Sequence, residues 1–421
     1  MNSLPMDKIF PRYTDYASRI PVWCVTPDLT GCFHRFHHSS PFSPSGRFLG
    51  LTRMRAEDRR PEPGETAEII VVDLETGNHR VAAETRGWDT QLGAHVQWGA
   101  NDHTLFYNNL NIDTWEPFGV KLNLDSGNAF RMDGTVYHVS RDGSKAVSVC
   151  LKRTFLTQLG YGVVVPDDQI PRNRGASNED GIYVTETQTG ACRMIASWRD
   201  IVSNAVPQID ADRYGPGAFY GFHVMWNFVG DRIMLVLRFV PDAENTRKPL
   251  LLTLREDGTD IRTAVSFEQW AEQGGTHPTW CPDGNHLLMC LNRGKEHNNF
   301  VRIRYDGSDM VPMTTLPAGH GHPSLHPDGK WIIMDAYPHE DCAFGDTTAP
   351  LWLIDTINHT RQTLVRIDSV SDARKTNPQL DSSLRVDLHP AWDTSSHTRV
   401  AINGVQNGTR KVFVADLSGI L

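Results

Sequence analysis

Histidine carries the most chemical promise in this sequence, because a neutral imidazole both binds metal ions and exchanges protons near neutrality. Three histidines open one recurring phrase. The copies are His277-Pro278-Thr279-Trp280-Cys281-Pro282-Asp283-Gly284, His322-Pro323-Ser324-Leu325-His326-Pro327-Asp328-Gly329 and His389-Pro390-Ala391-Trp392-Asp393. Weaker copies set His95 before Val96-Gln97-Trp98-Gly99, His223 before Val224-Met225-Trp226-Asn227, His138 within Val136–Gly143, and His38 ahead of Pro41-Phe42-Ser43-Pro44-Ser45-Gly46. A group at one fixed place in a repeat comes to one place in the fold, so several imidazoles are expected to meet. His277, His322 and His389 facing one point would form a site for a divalent ion (Mn, Zn or Ca), with water or a carboxylate completing it; Asp387 and His320 are the nearby candidates. His95 and His223, at the same place in other copies, are candidate acid/base groups.

The elements that must position these groups are strands. Each histidine phrase is followed by an alternating apolar run that ends in an acidic turn, of which Ile69-Ile70-Val71-Val72-Asp73-Leu74-Glu75-Thr76-Gly77 is the clearest. The two markers alternate strictly, seven times each, and period-2 runs bounded by Asp-Gly and Thr-Gly are antiparallel strands and hairpins. With 421 residues, each unit has about 60. Four strands per unit and seven units predict an all-β, seven-bladed β-propeller, with residues 1–421 as a single domain. A pair of β-sandwiches would explain the strands but not the sevenfold alternation. The stretches 165–180, 341–350 and part of 368–384 read as functional loops.

In such a blade the start of the first strand and the end of the second share a face. The second-strand ends read Arg53, Asn108, Arg153, Arg238, Arg293, Asp335 and Asn403. An inner ring of histidines inside an outer ring of arginine and asparagine is expected to bind a small anionic, hydroxyl-rich ligand, since arginine grips carboxylates bidentately. The corner Gly160-Tyr161-Gly162 is expected to push a phenol out on that face, with Arg172 and Arg174 in the loop beyond it.

The net charge of −9 argues against bulk attraction to nucleic acid or an anionic membrane. Seven cysteines without a CxxC pair lean towards a reducing compartment. With no signal-peptide pattern and no long apolar run, the expected location is cytoplasmic. GxSxG, GxGxxG and P-loop patterns are lacking.

The phrase Gly275-Thr276-His277-Pro278-Thr279-Trp280-Cys281-Pro282-Asp283-Gly284, with His389-Pro390-Ala391-Trp392, resembles oligogalacturonate lyase, a seven-bladed propeller family whose axial histidines hold manganese. The segments His95-Val96-Gln97-Trp98, Leu105-Phe106-Tyr107-Asn108, Val136–Gly143, Arg153 and Gly160-Tyr161-Gly162 resemble the ulvan and rhamnosyl-glucuronate lyases. The first resemblance implies a metal site, although the glutamine and one of the paired histidines of that family are replaced by Leu384 and Asp387. The second implies that His95 and Tyr161 act as acid and base, with an arginine among Arg153, Arg172 and Arg174 neutralising a uronate.

Together these readings predict a lyase that cleaves an acidic, uronate-containing oligosaccharide by β-elimination. Base and acid would be His95 and Tyr161 in either order, with His223 as a rival base. The substrate-binding arginines would be Arg53, Arg153, Arg172, Arg174, Arg238 and Arg293, with Arg153 and Arg238 gripping the carboxylate. The competing expectations are a glycoside hydrolase of the same linkages and a non-catalytic TolB-like propeller that binds a protein partner.

Overall fold

The computed structural model describes residues 6–243, 246–272, 274–294 and 296–421. The alternating apolar runs form strands whose inward residues are buried. Ile69, Ile70 and Val72, for example, lie in the strand Ala67–Asp73, with Gly77 supplying the left-handed turn after it at φ 78°.

The strands assemble into seven four-stranded antiparallel sheets, the blades of a propeller. Blade one comprises Cys32–Phe33, Phe48–Arg53, Ala67–Asp73 and His79–Thr85. The inner strands of blades two to six are Gln97–Trp98, His138–Val139, Gly217–Trp226, Gly275–Trp280 and Ser324–Leu325, and each is followed in order by its three outer neighbours. Blade seven is composite. Ala391–Trp392, Arg399–Gln406 and Thr409–Asp416 come from the C-terminal end, and Val22–Cys24 adds the outermost strand with Val22 opposite Ala415. That pairing ties the two ends of the chain together and covers an edge that would otherwise be free. Among the described residues no helix is long and apolar enough to cross a membrane.

Irregularities in the inner strands matter most for function. In blade five Thr276 opposes Cys290 and Thr279 opposes Leu288, so His277 and Pro278 face the single residue Met289. In blade four Gly221 opposes Leu237 and Val224 opposes Leu235, so Phe222 and His223 face Val236 alone. Such a bulge bends the strand and re-aims one side chain. His95, His277 and His389 take positive φ values of 57°, 53° and 49°, a conformation uncommon outside glycine.

Blade one departs furthest from the repeat. Phe33 opposes Thr52 and Phe42 opposes Leu49, so residues 34–41 on the inner strand answer only Gly50 and Leu51 on its partner. His34, Arg35, Phe36 and His37 in this excursion are all buried.

Candidate functional site

The bulged histidines converge around Phe36. Its ring centroid lies 4.4 Å from that of His389, 5.0 Å from His223, 5.3 Å from His322, 6.0 Å from His277 and 6.3 Å from Tyr161. The expected gathering of imidazoles therefore occurs, with a phenylalanine from blade one at its centre.

One side of this ring groups three possible metal ligands. His322, Asp387 and His389 each offer a ligand atom, all within 4.8 Å of one another. The Nδ1–H of His322 donates to the Asp335 carboxylate at 3.0 Å, which aims Nε2 towards the group. Asp335 also accepts from the backbone N–H of His322 at 2.7 Å and of His389 at 3.2 Å, joining blades six and seven. Burial holds both His322 and His389 well below the ordinary imidazole range, so they are neutral, as metal ligands must be. Burial also raises both acids, Asp335 to about 6, and nearby Arg385 partly offsets the effect at Asp387. His322 Nε2 and both ring nitrogens of His389 lack a hydrogen-bond partner. A buried polar atom left unpaired costs about 1–3 kcal/mol, which coordination would offset. This donor set of two neutral imidazoles and a carboxylate fits a divalent ion such as manganese or zinc.

His277 lies beside this trio, its ring 4.0 Å from that of His322. Its Nδ1 sits 2.9 Å from the Gly321 carbonyl. A carbonyl only accepts, so Nδ1 carries the proton and Nε2 keeps a lone pair. Burial brings the pKa down to about 4, leaving the ring neutral near pH 7.

The opposite side carries positive charge. Arg35 is buried with its guanidinium 4.9 Å over the Tyr137 ring, and none of its nitrogens makes a hydrogen bond of ordinary geometry. Arg238 lies 3.4 Å over Phe222 and donates to Gln158 Oε1 at 2.9 Å. Burial lowers Arg35 to about 10 and Arg238 to about 9. Neither has an ion-pair partner among the described residues. The Tyr137 hydroxyl is hydrogen bonded to His223 Nδ1, and the His95 ring packs 4.9 Å from that of Tyr137. Tyr161 is buried and its hydroxyl accepts from Arg385 Nη2 at 2.7 Å, while Arg385 Nε donates to Asp387 at 2.8 Å, so this arginine links the two sides.

The remaining expected binding residues lie apart from the ring or are already paired. Arg53 is held by Glu68 at 2.9 Å and by the Thr30 carbonyl. Arg153 belongs to the helix Leu151–Thr157, not to the end of a strand, and pairs with Asp180 at 3.3 Å. Arg172 is exposed and pairs with Asp167; Arg174 and Arg293 are exposed on connections. In place of the expected outer ring, Asn108 and Asn403 staple neighbouring blades. Asn108 bonds both the N–H and the C=O of Val136, and Asn403 bonds those of His34.

Sequence reasoning missed His34, Arg35, Phe36, His37 and Arg385. The one signal available was the density of basic and aromatic residues in His34-Arg35-Phe36-His37-His38, directly after a strand.

No family model matches the chain, and no curated protein matches it. Among solved structures, the oligogalacturonate lyase of Vibrio parahaemolyticus is similar over 97% of this chain and 96% of its own, with a TM-score of 0.66 and 17% identity. An oligogalacturonate lyase in complex with manganese gives the same coverage and TM-score at 16% identity. The tricorn protease matches 91% of this chain but 34% of its own, with a TM-score of 0.52 and 11% identity. At these identities the likeness is one of fold: the chain shares the propeller architecture of the oligogalacturonate lyases.

Proposed function

We propose that this chain, as one propeller domain spanning residues 1–421, is a metal-dependent lyase that cleaves a uronate-containing oligosaccharide by β-elimination. The observation that carries this reading is the three-ligand group His322, Asp387 and His389 beside Phe36, together with Arg238, a buried guanidinium that stacks on Phe222 and has no carboxylate partner among the described residues. Two solved propellers of the same fold are oligogalacturonate lyases, one of them in complex with manganese, which supports both the reaction class and the metal.

β-Elimination removes the C5 proton of a uronate, α to the carboxylate, and expels the C4 oxygen. The proton becomes acidic only when the carboxylate charge is neutralised. His322, Asp387 and His389 would hold a divalent ion, which when bound would supply Lewis-acid polarisation of a carboxylate. Arg238 is the protein cation best placed to bind it, since it lacks a carboxylate of its own. The Nε2 lone pair of His277 makes this residue the favoured base, because its other nitrogen is fixed by Gly321. Tyr161 takes a hydrogen bond from Arg385, which suits it to orienting the sugar hydroxyls. His223, whose ring stacks on Phe36 at 5.0 Å, is the candidate acid. His95 is fully buried behind Tyr137 and shapes this wall.

The test is incubation of manganese-loaded protein with trigalacturonate and with ulvan- and rhamnosyl-glucuronate-type oligomers. The reading expects ultraviolet absorbance from an unsaturated uronate. Products heavier by one water and without the double bond indicate a hydrolase. No cleavage of any of these substrates would leave the propeller as a binding module.

A further inference from the structure

The pairing of Tyr137 with His223, under a buried guanidinium that has no anion beside it, has no part in metal binding. We infer that Arg35, Tyr137 and His223 form a proton relay that delivers a proton to the departing oxygen. This inference rests on the lyase reading given above and assigns the acid that reading leaves as a candidate.

The Tyr137 hydroxyl and His223 Nδ1 share one hydrogen bond. A phenol donates to an imine nitrogen more strongly than an imidazole N–H donates to a phenol oxygen. Burial raises the phenol above its ordinary range and the Arg35 cation above the ring partly offsets this, favouring donation by Tyr137. Tyr137 therefore donates, His223 Nδ1 accepts, and the ring proton of His223 resides on Nε2. His277 has the opposite tautomer, fixed by Gly321. The two imidazoles around Phe36 thus present a lone pair and an N–H, the complementary requirements of an elimination.

A neutral imidazole is too weak an acid to give up its last proton unaided. Here the second proton is in place. As the C4–O bond breaks, the leaving oxygen takes the proton from His223 Nε2, and His223 Nδ1 takes the proton from Tyr137. The result is a neutral His223 and a tyrosinate under Arg35. The C5 proton passes to His277, and its bonding electrons form the C4=C5 double bond. His277 then loses a proton to solvent, His223 Nε2 takes one from solvent, and His223 Nδ1 returns its proton to Tyr137, so the cycle closes without net change. Arg35, unpaired at rest, acquires its counter-charge only when the tyrosinate forms. That differential interaction lowers the barrier without tightening the resting state. Arg35 and Tyr137 act through His223 and are positioning residues in this scheme; His223 alone meets the substrate.

The experiment has two arms, NMR on the zinc-loaded protein and kinetics on the manganese-loaded enzyme. Selective ¹⁵N-histidine labelling and NMR read the tautomer of His223 in the unmodified protein, and the relay expects the proton on Nε2. The second arm compares two leaving groups at C4 of a galacturonate: a sugar, and 4-nitrophenol, which needs no acid. Tyr137→Phe is expected to lower kcat for the sugar by about 10²–10⁴-fold and to leave the nitrophenyl substrate nearly unaffected. Arg35→Lys is expected to retain more activity on the sugar than Arg35→Met. A His223 proton on Nδ1, or equal losses on both leaving groups, would overturn the relay. Absence of elimination by the unmodified enzyme on every uronate tested would overturn the lyase reading instead, and the tautomer measurement would still judge the hydrogen-bond assignment.

Discussion

Asp335 and Arg238 both lie in the second half of a second strand, in blades six and four, with Arg238 two positions farther along in register, yet they carry opposite charge. Asp335 receives the Nδ1–H of His322 and, with Asp387, gives its side of the ring two buried carboxylates. Arg238 stacks on Phe222 and, with Arg35, gives the opposite side two guanidiniums without a carboxylate. The repeat supplies the positions, and single residues decide whether a position serves a cation or an anion. The fold alone therefore does not define the chemistry; the charge division across the ring does.

Breaking the carboxylate side should have the largest effect. His322→Ala removes a ligand from a three-residue group, and the expected outcome is loss of bound metal by elemental analysis with a drop in activity of about 10³-fold, equivalent to several kcal/mol of transition-state stabilisation. Breaking the other side should spare the metal. Arg238→Met is expected to lower kcat/KM by about 10–10²-fold, the value of a hydrogen bond to a charged group, with metal content unchanged. Asp335→Asn keeps the shape of the site but withdraws the charge that orients His322. Metal affinity should weaken by about 10–10²-fold in a titration, with activity recovered in excess metal.

Acid sharpens the contrast through stability. Burial lowers His138 to about 3 and holds His95 well below its ordinary value, and both face Arg35. The unfolded chain thus binds protons that the native state refuses once the pH falls below 6.5. Stability is full above that value and is lost as the pH falls towards the depressed native pKa values. The urea midpoint of the native protein should decline between pH 7 and pH 5 at constant m. In His138→Gln the decline should be smaller.

The propeller was legible because each blade repeats a turn phrase and an alternating run. The convergence of His322 and His389 followed from the same repeat, which also placed His277 with them; in the structure His277 lies beside the group and Asp387, expected only as a neighbour, takes the third place. The blade-one excursion was not legible, because it interrupts the repeat: strand pairing resumes at Phe42, and nothing in His34-Arg35-Phe36-His37-His38 states that the segment turns into the ring. Pairing hid the function of other residues. Arg53, Arg153 and Arg238 look alike in sequence, and only three-dimensional placement shows that Glu68 and Asp180 occupy the first two and leave the third open. The division of tautomers between His277 and His223 depends on a carbonyl and a phenol distant in sequence, which no local pattern reveals.

The proposed cation site lies on one side of the ring. Crystals soaked in manganese and measured at its absorption edge test this most directly. One strong anomalous peak bounded by His322, Asp387 and His389 is expected. A peak among His38, His95 and His223, or no peak at saturating manganese, would contradict it.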